Sequence, residues 1–441
     1  MKLRGLIIAT FVLAALVGVL YWSNHHKPSE TSEASAETAP KILSLKEDDI
    51  AQVDLKKKGA ADLVVSRDGA GKWQITAPKP LAAEQASVSG MLANVSSLSA
   101  ERLVEDKTTN FAQYGLSDPE LQAAILEKNK KSYKLLLGDT TPTGSAVYAR
   151  LDGDPRVFTV ASYVKNGIDK SENDLRDKRL LTVDRDKISR IELAARKQEI
   201  ELGRNKDEWQ IVKPKPQRAD SSQVDELVRT LADASMDLGP TDDPKADAAA
   251  FGSGTPIATA KVTDESGTQE LQLRKNKNDY YAKSSAVEGI YKVPSSVGTG
   301  LDKNPDDFRN KKLFDFGFNQ PDKIELHDGS KAYFLTRGGE DWWNGSGKKM
   351  DPDGAQTLID KLRDLAASKF VDAGFGAVEI DITVVSNDQK NREKVLISKS
   401  GDHYVAKRDG EPTLYQLDSK GVAELQKAAA DMKLEAAPLA K

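Results

Sequence analysis

The sequence contains no cysteine, which excludes disulfide bonds, thiolate metal sites, iron–sulfur clusters, cysteine nucleophiles and lipid attachment through a cysteine. Aromatic residues make up only 6% of the chain, so we expect modest cores built mainly from Leu, Val, Ile and Ala. Neither charge is in large excess, because 64 basic and 68 acidic residues leave a formal net charge of −4. A nucleic-acid-binding protein needs a basic surface, so this near-balance argues against nucleic acid as a partner.

Motifs that carry chemistry are equally scarce. The P-loop, dinucleotide-binding, nucleophile-elbow and zinc-protease patterns are all missing from the sequence. The four histidines are His25, His26, His327 and His403. The segment 302–307 resembles the start of a calcium loop, but Asp307 and Leu313 stand where that loop needs Gly and Glu. We therefore expect no catalytic residue, no cofactor and no metal site, and predict that the protein is not an enzyme.

The amino-terminal residues predict an extracytoplasmic location. Lys2 and Arg4 precede an uncharged run over residues 5–22, which as a helix is about 27 Å long, close to the thickness of a bilayer core. We predict a cytoplasmic tip at residues 1–4, a transmembrane helix at 5–22 and a disordered tether at 23–41. The alternative is a cleaved signal peptide that ends at the small residues 34–36. The chain is then a single-pass inner-membrane protein with a periplasmic carboxy-terminal region, or a released periplasmic one.

A repeat organises the rest of the chain. GKWQITAPKP at 71–80 and DEWQIVKPKP at 207–216 place Trp73 and Trp209 in the same context, 209 − 73 = 136 residues apart. In this pattern Trp-X-aliphatic closes a strand and Pro-X-Pro forms a stiff turn out of the sheet. Two runs of alternating apolar and polar residues precede each tryptophan and predict antiparallel strands.

The residues that follow each tryptophan predict a helix. Starting fifteen residues after Trp73, Trp209 and Trp343, apolar residues recur with the spacing i, i+4 and i+7, which places them on one helix face. These residues are Val88, Leu92 and Val95, then Val224, Val228 and Leu231, then Leu358, Leu362 and Leu365. The spacing therefore predicts one core helix in each of three copies.

The second half of each copy repeats as well. It starts with an aromatic residue and a glycine, at 114–115, 251–252 and 375–376, and continues through two short strands that contain tyrosine or phenylalanine. We predict three tandem modules over residues 42–180, 181–313 and 314–441. The predicted fold class is α+β: three repeats of antiparallel-sheet modules, each with packed helices, after one transmembrane helix.

These motifs also carry a family resemblance. The Trp-X-aliphatic strand before a proline turn, Tyr-Gly-Leu-Ser-Asp-Pro at 114–119 and the run from LLLGD to VYA at 135–149 resemble the DUF4340 family of membrane-anchored bacterial proteins. The resemblance extends from about residue 42 to 435. Family members are similar to proteins found beside gliding-type ABC transporter components, which implies a role in the cell envelope together with such a complex.

The third copy departs from the pattern, because Trp342-Trp343-Asn344-Gly345 replaces Trp-Gln-aliphatic. We align Trp343 with the two earlier tryptophans and expect it in the core. Neighbouring strand residues point to opposite faces, so one of the pair is expected to be exposed, unless a β-bulge buries both. We therefore select Trp342 as the candidate contact surface.

Taken together, these patterns predict a non-catalytic scaffold or binding protein of the cell envelope, accessory to an ABC transporter complex. Its predicted partners are the inner membrane, contacted through residues 5–22, and envelope proteins such as transporter subunits. The alternative is a cell-wall or glycan-binding protein that uses Trp342 and the loop around it. A hydrolase that uses a pair of carboxylates is a third, less favoured reading.

Overall fold

The computed structural model describes residues 40–206, 208–239, 243–318 and 321–435. The chain divides into two compact units, Met1–Lys178 and Arg179–Lys441. In the described residues, the first unit contains a nine-stranded sheet and a two-stranded sheet, and the second unit contains two eight-stranded sheets. The three modules predicted from the sequence stay a prediction, but each large sheet corresponds to one copy of the sequence repeat.

The first unit carries the first large sheet, with the order β5-β4-β3-β2-β8-β9-β10-β11-β7, and the small sheet β1-β6. Its strands are β1 (Lys41–Ser44), β2 (Ile50–Lys57), β3 (Leu63–Arg67), β4 (Trp73–Ala77), β5 (Leu81–Ala82), β6 (Ser97–Ser99), β7 (Arg102–Glu105), β8 (Leu121–Glu127), β9 (Ser132–Thr140), β10 (Ala146–Leu151) and β11 (Val157–Ala161). Its α-helices are α1 (Gln85–Ser96), α2 (Ser162–Ile168) and α3 (Glu172–Leu175).

The second unit begins with the second large sheet, which has the order β15-β14-β13-β12-β16-β17-β18-β19. Its strands are β12 (Arg190–Ala195), β13 (Gln198–Asn205), β14 (Glu208–Lys213), β15 (Gln217–Arg218), β16 (Thr255–Asp264), β17 (Gly267–Asn276), β18 (Asp279–Ser284) and β19 (Ile290–Val293). The α-helices of this part are α4 (Ser221–Ala232), α5 (Pro244–Ser253) and α6 (Ser295–Leu301).

The third large sheet completes the second unit, with the order β22-β21-β20-β24-β25-β26-β27-β23. Its strands are β20 (Lys323–Asp328), β21 (Lys331–Gly338), β22 (Asp341–Asn344), β23 (Lys369–Val371), β24 (Val378–Ser386), β25 (Asn391–Ser400), β26 (His403–Arg408) and β27 (Leu414–Leu417). Its α-helices are α7 (Pro352–Asp364) and α8 (Ser419–Ala430).

The three large sheets share one topology. In each, three strands form a meander, a core helix follows (α1, α4 or α7), and four more strands continue the sheet beyond the first strand of the meander. Alternate residues of the strands point toward the core helix, which buries apolar side chains against them. In the second sheet, for example, Ile191 and Leu193 of β12 lie in one cluster with Val224 and Leu227 of α4. Each fully buried aliphatic side chain contributes about 1.5–3 kcal/mol.

The fold class predicted from the sequence is wrong, because it gives helices too large a share relative to sheets. The described residues are mostly antiparallel sheet, in four sheets, with few helices. The reason is that both strand groups of a copy join one continuous sheet, whereas the core helices extend over only 12, 12 and 13 residues. The transmembrane helix that formed part of this prediction, at 5–22, lies outside the described residues. Among the helices that are described, none has both the length and the apolar character needed to cross a membrane.

Within the second unit, a group of charged residues joins the second sheet to the third. Arg218 of β15 forms an ion pair with Asp315 and donates hydrogen bonds to the carbonyl of Lys312, at 2.7 Å, and to the hydroxyl of Tyr415, at 3.1 Å. Arg408 pairs with Glu393 at 3.0 Å and donates a hydrogen bond to the carbonyl of Leu313. The pair of Arg408 and Glu393 is largely buried, so removing one of these two partners leaves an uncompensated charge and costs about 3–5 kcal/mol. This group therefore couples the two sheets within the unit.

The two segments that carry the family resemblance pack against each other in the first unit. Gly115 ends a short 3-10 helix with a left-handed φ of 66°, and Gly138 lies in β9 beneath it. A Cβ atom at Gly138 would lie 2.2 Å from the carbonyl oxygen of Tyr114. The Tyr-Gly-Leu segment can therefore reach the LLLGD strand only because neither glycine has a side chain.

Gly138→Ala is expected to lower the free energy of unfolding of the first unit by about 1–3 kcal/mol, because the added methyl group meets backbone rather than a movable side chain. The measurement is a urea titration followed by hydrogen exchange and mass spectrometry on peptides from β8 and β9. Gly69→Ala is the control, since a Cβ atom there has no neighbour within 4 Å. Equal midpoints for both variants would contradict this account of the motif.

Candidate functional site

Each large sheet has one side that its core helix does not cover. We call this side the open face; it carries Asp54, Glu192 and Glu325 at the middle of the first strand of the meander, and all three are partly exposed. The residue two positions earlier on the same strand contacts each carboxylate: Gln52 at 2.7 Å, Arg190 at 2.7 Å and Lys323 at 2.5 Å. The three copies therefore repeat an acidic position with a hydrogen-bonding partner, in addition to a core.

The aromatic–glycine segments that start the second half of each copy cover only the far end of the open face. Leu116 and Tyr114 pack on Leu136 in the first sheet, the guanidinium of Arg274 lies 4.8 Å from the ring of Phe251 in the second, and Gly376 donates a hydrogen bond to Ser398 in the third. Over the meander strands, open-face residues such as Asp54, Glu192 and Glu325 stay partly exposed in the part of the chain that the structure describes. In the second and third sheets this part of the open face forms a groove.

The groove of the second sheet has a volume of about 590 Å³ and an acidic lining. Four carboxylates face two ammonium groups in it: Glu192, Glu199, Glu201 and Glu270 against Lys213 and Lys261. Glu201 is buried and lies 2.7 Å from the Lys213 ammonium and 3.1 Å from the Arg190 guanidinium. The hydrogen bond from Lys213, aided by the charge of Arg190, lowers the pKa of Glu201 against the opposing effect of desolvation.

The groove of the third sheet has a volume of about 530 Å³ and a balanced lining. Three carboxylates and three cations contribute to it: Asp322, Glu325 and Asp388 with Lys323, Arg337 and Arg392. The backbone N–H of Gln389 donates to Asp322 at 2.9 Å and, together with Arg337, lowers the pKa of that carboxyl. The Lys323 ammonium lowers the pKa of Glu325 in the same way.

The structure places the predicted contact residue Trp342 in the core. Its side chain is 4% exposed and belongs to the apolar cluster of the third sheet, whereas Trp343 is 38% exposed. Trp342 pairs with Arg337 across the meander, as Trp73 pairs with Arg67 and Trp209 with Arg204. Trp342, and not Trp343, is therefore the counterpart of the two earlier tryptophans.

The open face of the third sheet carries a second exposed aromatic residue that the sequence reasoning missed. Phe334 of β21 is 41% exposed, and the ring of His327 meets it edge-on with centroids 5.4 Å apart. A signal was present in the sequence: in KAYFLTR, Tyr333 and Leu335 occupy the core-facing phase, so Phe334 falls in the phase that faces solvent. His327, Phe334 and Trp343 thus lie on one face of three neighbouring strands.

The three remaining histidines are His25, His26 and His403, and the structure describes only the last of them. His403 contacts the neighbouring Asp402 carboxylate at 3.0 Å, and His25 and His26 lie outside the described residues. Within the ranges that the structure describes, no group of three or more His, Asp or Glu side chains is arranged to hold a metal ion.

The fold and the grooves define a protein built from repeated antiparallel sheets, each with one open face. The sequence model described as Domain of unknown function (DUF4340) matches residues 73–210 and 209–381, which together span more than half of the sequence. The chain belongs to the DUF4340 family. Comparisons with curated proteins and with solved structures give no match.

The two matched segments start at equivalent strands of the first and second sheets. Each segment begins at a tryptophan strand, at β4 for the first and at β14 for the second, and the first also ends in β14. The family unit therefore has the same period as the sheets but starts at their third strand. Each matched segment runs from the third strand of one meander into the third strand of the next, and the second segment continues as far as β24.

We predict opposite roles for the two adjacent tryptophans in stability. Trp342→Ala should lower the free energy of unfolding of the second unit by about 3–5 kcal/mol, because it opens a cavity in the core. Trp343→Ala should lower it by about 1 kcal/mol or less, as is usual at a surface position. Chemical denaturation of both variants is the measurement. A larger loss for Trp343→Ala would show that the pairing of Trp342 with Arg337 is wrong.

The lowered pKa of Glu201 gives a pH-dependent prediction. Its ionised form is stabilised in the folded state, so the contribution is present above the unfolded-state pKa and is lost as pH falls through the lower folded-state pKa. Glu201→Gln should therefore cost about 1.5–3 kcal/mol at pH 7, and the difference from the unmodified protein should shrink as the solution is acidified below pH 4.5.

The control for this measurement is Glu199→Gln, because Glu199 lines the same groove but is exposed. Its effect should stay within about 0.5 kcal/mol at both pH values. A difference for Glu201→Gln that does not change with pH would mean that the ionised carboxylate is not the stabilising species.

Proposed function

We propose that the protein is a non-catalytic scaffold or binding protein of the bacterial cell envelope, and that it contacts subunits of an ABC transporter through its open faces. The observation that carries the proposal is the repetition of the open face, with the same acidic position, in three sheets of one chain. Repeated surfaces on one chain bind more tightly than one surface alone, because each bound site raises the effective concentration of the next.

The charges on the open faces support a protein partner rather than a nucleic acid. The groove of the second sheet is acidic, and that of the third contains equal numbers of carboxylates and cations. A nucleic acid needs an excess of cations along its path. Polar, charge-paired surfaces with short apolar patches are typical of contacts between proteins that also exist separately.

The proposed location rests on the sequence of residues 1–22. An uncharged run behind Lys2 and Arg4 directs the following residues out of the cytoplasm in both alternatives, a retained anchor and a cleaved signal peptide. We propose that the protein is held at the inner membrane with the described residues in the periplasm. The proposed association with an ABC transporter comes from the resemblance of the family to proteins found beside transporter components.

Site-specific photocrosslinking in living cells tests this function. A photoreactive amino acid at Lys261, which is exposed on the open face of the second sheet, should crosslink to transporter subunits. The same amino acid at Asp225, which is exposed on the core helix α4, should not, because that surface lies on the opposite side of the sheet. Mass spectrometry of the crosslinked bands identifies the partners.

A protease accessibility assay controls for location. Protease added to spheroplasts should digest the chain, whereas a cytoplasmic marker should stay intact. Protection of the chain, or equal crosslinking from both positions, would overturn the proposal.

A further inference from the structure

The exposed aromatic residues of the third sheet lie next to its groove. Trp343 pairs with Thr336 across β21 and β22, and Thr336 lines the groove. Phe334 lies two residues from Thr336 on the same strand and therefore on the same face. Diagonal neighbours on adjacent strands are about 7–8 Å apart, so the two rings flank one side of the groove.

Contacts within the protein hold the aromatic side chains in place. The edge of the His327 ring packs against Phe334, and Gly345 lies opposite Phe334 with no side chain between them. Gly338 lies similarly close to the indole ring of Trp343: a Cβ atom at Gly338 would be 3.1 Å from the indole nitrogen Nε1. Exposed rings that are already ordered lose little conformational entropy when a ligand binds.

The polar side of the groove offers hydrogen bonds without a net charge. Its three carboxylates and three cations cancel, and two of its ion pairs are closed within the protein, Asp322 with Arg337 at 3.1 Å and Lys323 with Glu325 at 2.5 Å. Thr336, Thr383 and Gln389 add uncharged donors and acceptors. An anion or a cation would therefore meet as many like charges as opposite ones.

From these observations we propose that the groove on the open face of the third sheet, with Trp343 and Phe334, binds an uncharged oligosaccharide. A sugar ring has an apolar C–H face that fits an aromatic ring and hydroxyl groups that both donate and accept hydrogen bonds. A volume of about 530 Å³ lies within the usual range of ligand sites. In the second sheet, Glu201 and Gln210 occupy the positions that correspond to Phe334 and Trp343, so its acidic groove is not part of the proposal.

The site does not depend on the proposed contact with a transporter. Sugar binding is a property of the purified chain, whereas the transporter contact is measured by crosslinking in cells. Either result can fail while the other holds.

Isothermal titration calorimetry on the purified full chain tests the site, with tetrasaccharides of glucose and of N-acetylglucosamine as probes. We expect at least one of them to bind, with an affinity that does not change between low and high salt, because the ligand carries no charge. Trp343→Ala should weaken binding about tenfold or more, and Trp343→Tyr, which keeps an aromatic ring, should weaken it less.

The matched control is Tyr163→Ala, which removes an exposed aromatic side chain in the first unit and should leave binding unchanged. Circular dichroism and thermal unfolding establish that each variant is folded. Phe334→Ala provides a second, independent test of the same groove and should also weaken binding. The proposal is overturned if neither sugar binds at millimolar concentration, or if a bound sugar is indifferent to both Trp343→Ala and Phe334→Ala.

Discussion

The structure depends on the packing of short helices against one side of each large sheet. In each sheet the core helix shares its apolar cluster with a second helix, α2, α6 or α8. In α4, Val224, Leu227, Val228 and Leu231 are buried against alternate residues of the strands, and α1 and α7 do the same in their sheets. The core helices contain 12 or 13 residues, are about 18–20 Å long and pack on one side of their sheets. The opposite face has to be acceptable to water or be covered by other segments.

Two consequences follow for the open face. Its far end receives the aromatic–glycine segment of each copy, which explains why that motif recurs in all three copies. Over the meander strands, the face carries paired polar side chains instead of a second layer. Apart from the buried Glu201, these pairs are partly exposed and add at most about 1 kcal/mol each, so the fold places few demands on most of the polar or aromatic residues that stand there. The two grooves can therefore differ in character, one acidic and one balanced and aromatic, on the same framework.

Several features of the fold could be predicted from the sequence because their periodicity is strong. The alternating runs before each tryptophan form the meanders, and the residues selected in the first two core helices, such as Val88 and Val224, are buried. The balance of sheet and helix could not be predicted in the same way. The strand patterns in the second half of a copy do not show whether these strands continue the sheet of the meander or form a separate sheet. The outcome depends on hydrogen-bonded pairing between segments that are distant in the sequence.

The third copy shows why the candidate site was harder to predict. Counted from the helix N-caps Glu84, Asp220 and Asp351, the counterpart of Val88 and Val224 is Ala355, whereas a spacing of fifteen residues from Trp343 selects Leu358. The wrong alignment of Trp343 does not change the prediction for the helix. A shift of three residues leaves the apolar stripe on nearly the same helix face, and Leu358 is also buried.

In a strand, the same uncertainty has a different effect. A shift of one residue exchanges the two faces of a strand, so aligning Trp343 instead of Trp342 with Trp73 reverses which ring is exposed. The register is fixed by the pairing of β21 with β22, in which Trp342 lies opposite Arg337. This pairing joins residues on two strands and cannot be read from the pattern of one strand. The alternation of apolar and polar residues thus predicts that a meander strand has one polar face, while the identity of the side chains on that face depends on a single residue of register.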